Sequence, residues 1–249
     1  MYVPSGQHAV AHNGRFPDTQ WSLIAAAGDS HHPHVRDAME DLCRLYWYPV
    51  YAFIRRGGAD THTAEDRTQG FFSHLLEKKT WRSADPERGR FRSFLLGALK
   101  RYALDERDRA MALKRGGGQE ILPLDLSGFE QRYQLEARTE DSPERTFARR
   151  WALETLDRAL AQLWREQERS PAPERSRRLA TCLTGNGDTP SSRELAVELG
   201  MTESAVRVAI HRMRKHFGTI LRSEVARTVS DPGSVDDELR YLFSCLGRG

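Results

Sequence analysis

The chain has 249 residues, 39% of them hydrophobic and 29% charged, with a formal net charge of only +3. It is therefore too apolar to be disordered throughout, and whole-chain charge does not name a partner. Apolar runs such as residues 23–27 and 94–96 fall far short of the ~20 residues a membrane-spanning helix needs, residues 1–14 lack the basic-then-apolar pattern of a secretory signal, and Cys43, Cys182 and Cys245 are too scattered for a disulfide framework or a paired-cysteine zinc site; a soluble, cytoplasmic protein without a membrane partner is the expectation.

Alternating β-branched runs are absent, and apolar residues recur three and four apart, so the expected fold is all-α. A first helix is predicted from Asp18 or Thr19, burying Trp21 and Ile24 and stopping at Gly28. A second spans 34–56 with Val35, Ala38, Met39 and Leu42, then Leu45, Tyr46, Val50, Phe53 and Ile54 inward; Pro49 predicts a kink or break within it. From Thr63 the period resumes through Thr68, Phe71, Phe72, Leu75 and Leu76. After a polar loop at 83–90, a long helix carries Phe91, Phe94, Leu95, Ala98, Leu99 and Tyr102 and runs to about Lys114. The glycines at 116–118 break the pattern, and the stretch to Asp141 reads as a flexible linker. Ser142-Pro143-Glu144 is a strong helix start for a segment burying Phe147, Trp151, Leu156, Leu160, Leu163 and Trp164. A short helix with Leu179, Cys182 and Leu183 follows.

The clearest motif comes next. Ser191 and Glu194 have the spacing of a capping box, Leu195, Ala196 and Leu199 face inward, and Gly200 supplies a left-handed stop. Thr202 then caps a helix whose inner face is Ala205, Val206, Ala209, Ile210 and Met213. This is the layout of a helix-turn-helix, whose second helix lies in the DNA major groove. Its outward face offers Ser204, Arg207, His211, Arg212, Arg214 and Lys215, donors suited to phosphates and guanine edges. Five basic residues stand against one acidic residue between 202 and 222, so this stretch alone carries +4. The plainer reading is a solvated basic hairpin.

In the first half, Glu65, Asp66 and Gln69 beside Phe71 and Phe72 suit a docking face for a basic partner, or simply a helix start above two core rings. Arg88, Arg90 and Arg92 surround Phe91, a composition that suits unstacked single-stranded bases. Lys100, Arg101, Arg107 and Arg109 continue the basic character and could track a backbone.

In this order the pieces resemble bacterial RNA polymerase sigma factors of the extracytoplasmic-function (ECF) type. The run 46–51 (YWYPVY), residues 64–76 and residues 90–96 (RFRSFLL) are similar to a planctomycete-type subgroup of that family. The resemblance covers most of residues 16–228. It implies two small helical domains: a sigma two-like domain at 16–115 and a sigma four-like helix-turn-helix domain at 142–228, with a linker at 116–141 and a C-terminal extension at 229–249. It implies that Glu65, Asp66, Gln69 and Phe72 bind the β′ clamp of core RNA polymerase, and that the polymerase β and β′ subunits are the protein partners. Arg88, Arg90, Phe91, Arg92, Phe94, Lys100, Arg101, Arg107 and Arg109 would hold and melt the downstream (minus-ten) promoter element, including a flipped base. Thr202, Ser204, Arg207, Val208, His211, Arg212 and Lys215 would read the upstream (minus-thirty-five) element. The DNA partner is thus promoter DNA, double- and single-stranded, and an anti-sigma factor or a kinase is a possible regulator. The chain itself would be no enzyme and would need no cofactor and no metal.

Two features depart from the family pattern. Asp105 stands where many members carry Asn, and an acid there is not a phosphate contact. The Leu-Pro entry to the last helices is replaced by the stretch 170–173. Beyond the family pattern, Leu239, Leu242, Phe243 and Leu246 form an apolar stripe behind Asp236, Asp237 and Glu238. That helix is expected either to restrain the basic surface of the second half or to cap it. Enzyme readings find little support: His31, His32 and His34 lack further ligands at metal spacing, and the triple glycine lacks the Lys-Ser or Lys-Thr of a phosphate loop. The rival reading is a stand-alone helix-turn-helix regulator.

Overall fold

Aromatic side chains at helical spacing organise the first half. A computed structural model describes residues 33–77, 90–112, 128–136, 141–183 and 190–247; the expected helix from Asp18, the His31–His32 pair, Arg88 and the triple glycine lie outside them. Helix α1 (Pro33–Arg56) runs through Pro49 without a break. Proline removes one backbone donor and costs about 3 kcal/mol inside a helix. Around it Tyr46, Tyr48, Val50 and Tyr51 are all buried, and the apolar area they remove from water together outweighs the cost of the proline.

Asp60 starts α2 (Thr61–Glu77), its carboxylate accepting the Thr63 amide at 2.8 Å. Thr68, Phe71, Phe72 and Leu75 form its inner face, and the Thr68 hydroxyl is satisfied by the Ala64 carbonyl at 2.6 Å. Helix α3 (Phe91–Ala112) buries Phe91, Leu95 and Leu99. Phe91 lies edge-on to Tyr46 at 5.1 Å, and Tyr46 stacks on Phe147 at 6.0 Å, so one aromatic column ties α1 and α3 to the second half.

The stretch expected to be a linker carries a helix, α4 (Phe129–Glu136), too short and too polar for a sustained period. It is held by chemistry rather than apolar area. Glu130 accepts two hydrogen bonds from Arg55, at 2.7 and 2.8 Å, and one from the Tyr51 hydroxyl at 2.5 Å. Those bonds, led by Arg55, outweigh desolvation and bring the Glu130 carboxyl down from its ordinary 4.5 to about 2. Arg132 binds Glu154 at 2.5 Å and lies 4.2 Å over the Tyr48 ring.

Helix α5 (Pro143–Glu168) is the central element, packing against α1 and most of the second half. Its predicted cap is present, Ser142 Oγ accepting from the Arg145 amide at 3.3 Å. Phe147, Trp151 and Leu163 are buried as patterned, but Leu156, Leu160 and Trp164 are only partly covered. Arg150 and Thr155 take inner positions that an apolar stripe does not anticipate. Helices α6 (Pro173–Ala180), α7 (Ser192–Leu199) and α8 (Glu203–Ala226) follow, then a 3-10 turn (Pro232–Ser234) and α9 (Val235–Leu246). The described residues are all-helical apart from one isolated antiparallel bridge, Arg90 with Val229. None of their helices is long and apolar enough to cross a membrane.

Both halves contribute to one contiguous core, which includes Phe91, Trp151, Val206 and Leu242. A charge network reinforces the junction: Asp41 on α1 pairs with Arg158 on α5 at 2.6 Å and with Arg227, and Glu224 pairs with the same two arginines at 3.6 and 3.0 Å. Two acids and two bases balance there, so the cluster adds orientation without net charge.

Candidate nucleic-acid interface

The helix-turn-helix is built by local rules. Both halves of the capping box form, Glu194 N–H to Ser191 Oγ at 3.2 Å and Ser191 N–H to the Glu194 carboxylate at 2.7 Å. Chiefly the bond from the Ser191 backbone N–H, and after it the serine hydroxyl, hold the Glu194 carboxyl below its ordinary value. Gly200 ends α7 with φ +62°, a conformation in which a Cβ is strained. Thr202 caps α8 by accepting the Ala205 amide at 3.2 Å.

Three ties anchor the hairpin. Arg178 donates two 2.5 Å bonds to Glu198, joining α6 to α7. His216 lies 2.5 Å from Glu166, joining α8 to α5. Arg214 donates to the Cys182 carbonyl at 3.1 Å. The sequence groups Arg214 with the DNA-facing donors; its guanidinium instead supplies a missing partner to a carbonyl after α6.

The remaining outward residues behave alike. Val206, Ile210 and Met213 are buried, while Thr202, Ser204, Arg207, Val208, His211, Arg212 and Lys215 are all exposed. On a 3.6-residue period, positions 204, 208, 211 and 215 form one stripe with 207 and 212 flanking it. Val208 leaves 47% of its surface open among cations; an apolar side chain there suits a thymine methyl. Among the described residues Arg207 pairs with Glu203 one turn back, at 3.3 Å and well exposed. Such a pair is worth a few tenths of a kcal/mol and yields easily to a phosphate or a base.

The first-half residues are placed differently. Asp66 is exposed and near His62, and Glu65 and Gln69 are half-buried on the same face of α2. Phe72, expected on that face, is fully buried against Phe71 at 5.2 Å, so it supports the face and cannot touch a partner. Phe91 likewise belongs to the core and offers no ring for stacking in this arrangement. Phe94 is half-buried 6.0 Å from Phe91. Lys100 is exposed and binds Glu144 at 2.8 Å; Arg101 is exposed. Arg107 and Arg109 fall within α3, but their side chains lie outside the described residues.

Arg90 and Arg92 are committed to a carboxylate. Arg92 grips Glu238 of α9 through two bonds, 2.5 and 3.0 Å, and Arg90 reaches the same group at 3.1 Å. The Arg92 guanidinium also lies 3.6 Å from the Tyr241 ring centre and 5.4 Å from that of Trp151. Burial works against its charge, yet the Glu238 bond and charge prevail and raise its pKa above the ordinary value. The stripe expected of α9 is therefore rotated. Val235, Glu238 and Leu242 turn inward and Phe243 turns out, 55% exposed, because a carboxylate with two guanidinium partners can be buried where hydropathy alone forbids it. The acidic run 236–238 was visible in sequence; which acid faced the core was not.

Among the described residues no three His, Cys, Asp or Glu side chains converge as metal ligands. Burial pushes the Cys43 thiol up to about 12, the opposite of a reactive thiolate. No family model, no curated protein sequence and no solved structure matches this chain.

Proposed function

We propose that this chain is a sigma factor of the ECF type, a removable subunit that binds core RNA polymerase, directs it to promoters and assists strand separation. The observation that carries the reading is the α8 surface: seven exposed side chains on and just before a helix capped by Thr202, with Val206, Ile210 and Met213 buried on the other side of the same turns. Such a face suits a major groove, cations for phosphates and guanine, His211 and Ser204 for edges, Val208 for a methyl. In this reading α8 reads the upstream element and the Glu65–Asp66–Gln69 face docks the polymerase clamp. The two-domain division at about residues 115 and 142 becomes functional on polymerase, where the halves would separate to span two promoter elements.

The experiment is run-off transcription with purified core polymerase, this protein and a library of promoter templates. Initiation that needs both proteins and maps to one class of start sites supports the proposal; no initiation with any template overturns it. One observation favours a stand-alone helix-turn-helix regulator: Phe91, Phe72 and Arg92, which promoter melting or clamp binding would use, are inside the molecule. That reading expects tight duplex binding by the free chain and no effect of adding it to core enzyme.

A further inference from the structure

We propose that α9 is an intramolecular competitor for single-stranded DNA, with Glu238 occupying the cationic pair Arg90 and Arg92 where a backbone phosphate would otherwise sit. The inference deepens the sigma-factor reading and rests on it for the identity of the ligand. The Glu238 side chain is 1% exposed and faces Arg92, itself 11% exposed, and Arg90. A carboxylate gripped through two oxygens by one guanidinium, with a second guanidinium beside it, presents the charge and acceptors of a phosphodiester. The aromatic faces that cover Arg92 belong to Tyr241 of the same helix and Trp151 of α5.

The segment leading into α9 completes the clasp. The Phe91 amide donates to the Thr228 carbonyl at 3.0 Å, and Arg90 bridges to Val229, so the start of α3 is pinned by backbone bonds to the chain just before the helix. The remaining polar tie of α9 to α8, Arg222 with Asp236 at 2.5 Å, is solvent-exposed and weak. Helix α9 follows every other described helix, so its departure breaks no chain connection between them, although it uncovers Val235 and Leu242 of the shared core. Two states follow: a closed one in which Arg90 and Arg92 neutralise Glu238, and an open one in which they are available to a strand. A site accessible only in the minor state binds with an affinity reduced by that state's population; weakening the closed state raises the affinity.

The test is fluorescence anisotropy of a labelled 12-nucleotide single-stranded DNA at one fixed ionic strength. Glu238→Gln, which keeps the shape and removes the charge, is expected to tighten binding by about ten-fold. Adding Arg92→Ala to Glu238→Gln abolishes the gain, and Asp237→Asn, an exposed acid of the same helix whose ion pair is with Arg240 one turn on, leaves the affinity unchanged. Because losing the carboxylate also threatens the fold, Tyr241→Leu is the second variant: it keeps Glu238, removes one aromatic wall and shifts affinity in the same direction by less. Hydrogen exchange at residues 91–99 and 235–246 reports release in both. If either variant stays folded and releases α9 while its DNA affinity is unchanged, or if the gain survives Arg92→Ala, the competitor role is overturned. Run-off transcription separates the two readings. Tighter strand binding without initiation by any variant ends the sigma-factor reading and leaves the clasp, whereas initiation by the natural chain with no affinity gain in Glu238→Gln ends the clasp alone.

Discussion

Two clusters of arginine look alike in the sequence and differ entirely in the structure. Around α8, Arg207, Arg212 and Lys215 stand in solvent with at most an exposed partner one turn away. At the start of α3, Arg90 and Arg92 are drawn into a junction where an acid, two aromatic rings and a backbone bridge use them. A surface cation costs nothing to keep unpaired, whereas a guanidinium that loses water must gain a full set of partners. Basic composition therefore says where positive charge is, and only burial says whether it is free to bind. Substitutions in the two regions should separate function from stability.

The largest contrast pairs Phe91→Ala with Val208→Ala. Phe91 lies in the column with Tyr46 and Phe147, and its truncation should cost about 3–5 kcal/mol. Val208→Ala should stay within about 0.5 kcal/mol. Urea denaturation of both proteins checks this, and equal losses would mean that the exposed helix face is also core. Next, Glu130→Gln should cost about 1.5–3 kcal/mol by removing charged hydrogen bonds from Arg55. The Glu130 pKa is lowered in the folded state, so its contribution is complete above 4.5 and fades as pH falls toward about 2. Acid titration of the natural chain should thus show a stability loss across that window that is shallower in Glu130→Gln.

On the binding side, Arg212→Ala should weaken promoter binding by the polymerase–protein complex by ~1–3 kcal/mol if the guanidinium reads a base edge. The melting temperature of the free chain should not move. Lys215→Ala should instead lower the salt slope of binding by about one, with little change in sequence preference. A modest loss is expected of Ser191→Ala, which removes the α7 cap and should cost about 1 kcal/mol, read by thermal melting. A loss several times larger would show that the hairpin is supported chiefly by its first turn rather than by Leu195 and Ala196.

Most of the helices were legible because their signals are local. The Ser142 and Ser191 caps and the Gly200 stop depend on residues within one or two turns and form as patterned, and Thr68, Phe71, Phe72 and Leu75 of α2 and Val206, Ile210 and Met213 of α8 are buried as their stripes expect. Helix α4 escaped notice because its stability comes from Arg55 and Tyr51, about eighty residues away in the chain. The same reason hid the role of Arg214, whose acceptor is the Cys182 carbonyl.

By itself, then, the sequence determined the helical character of the described residues, the capped hairpin of α7 and α8 and the outward stripe on α8, because periodicity and capping are short-range physics. Only the tertiary structure decided that α1, α5 and α8 share a charge network, that Phe72 and Phe91 are core, and that α9 turns Glu238 rather than Phe243 inward. Burying a charge is favourable or ruinous according to what stands opposite it, and that partner is chosen by the fold, not by neighbours in the chain.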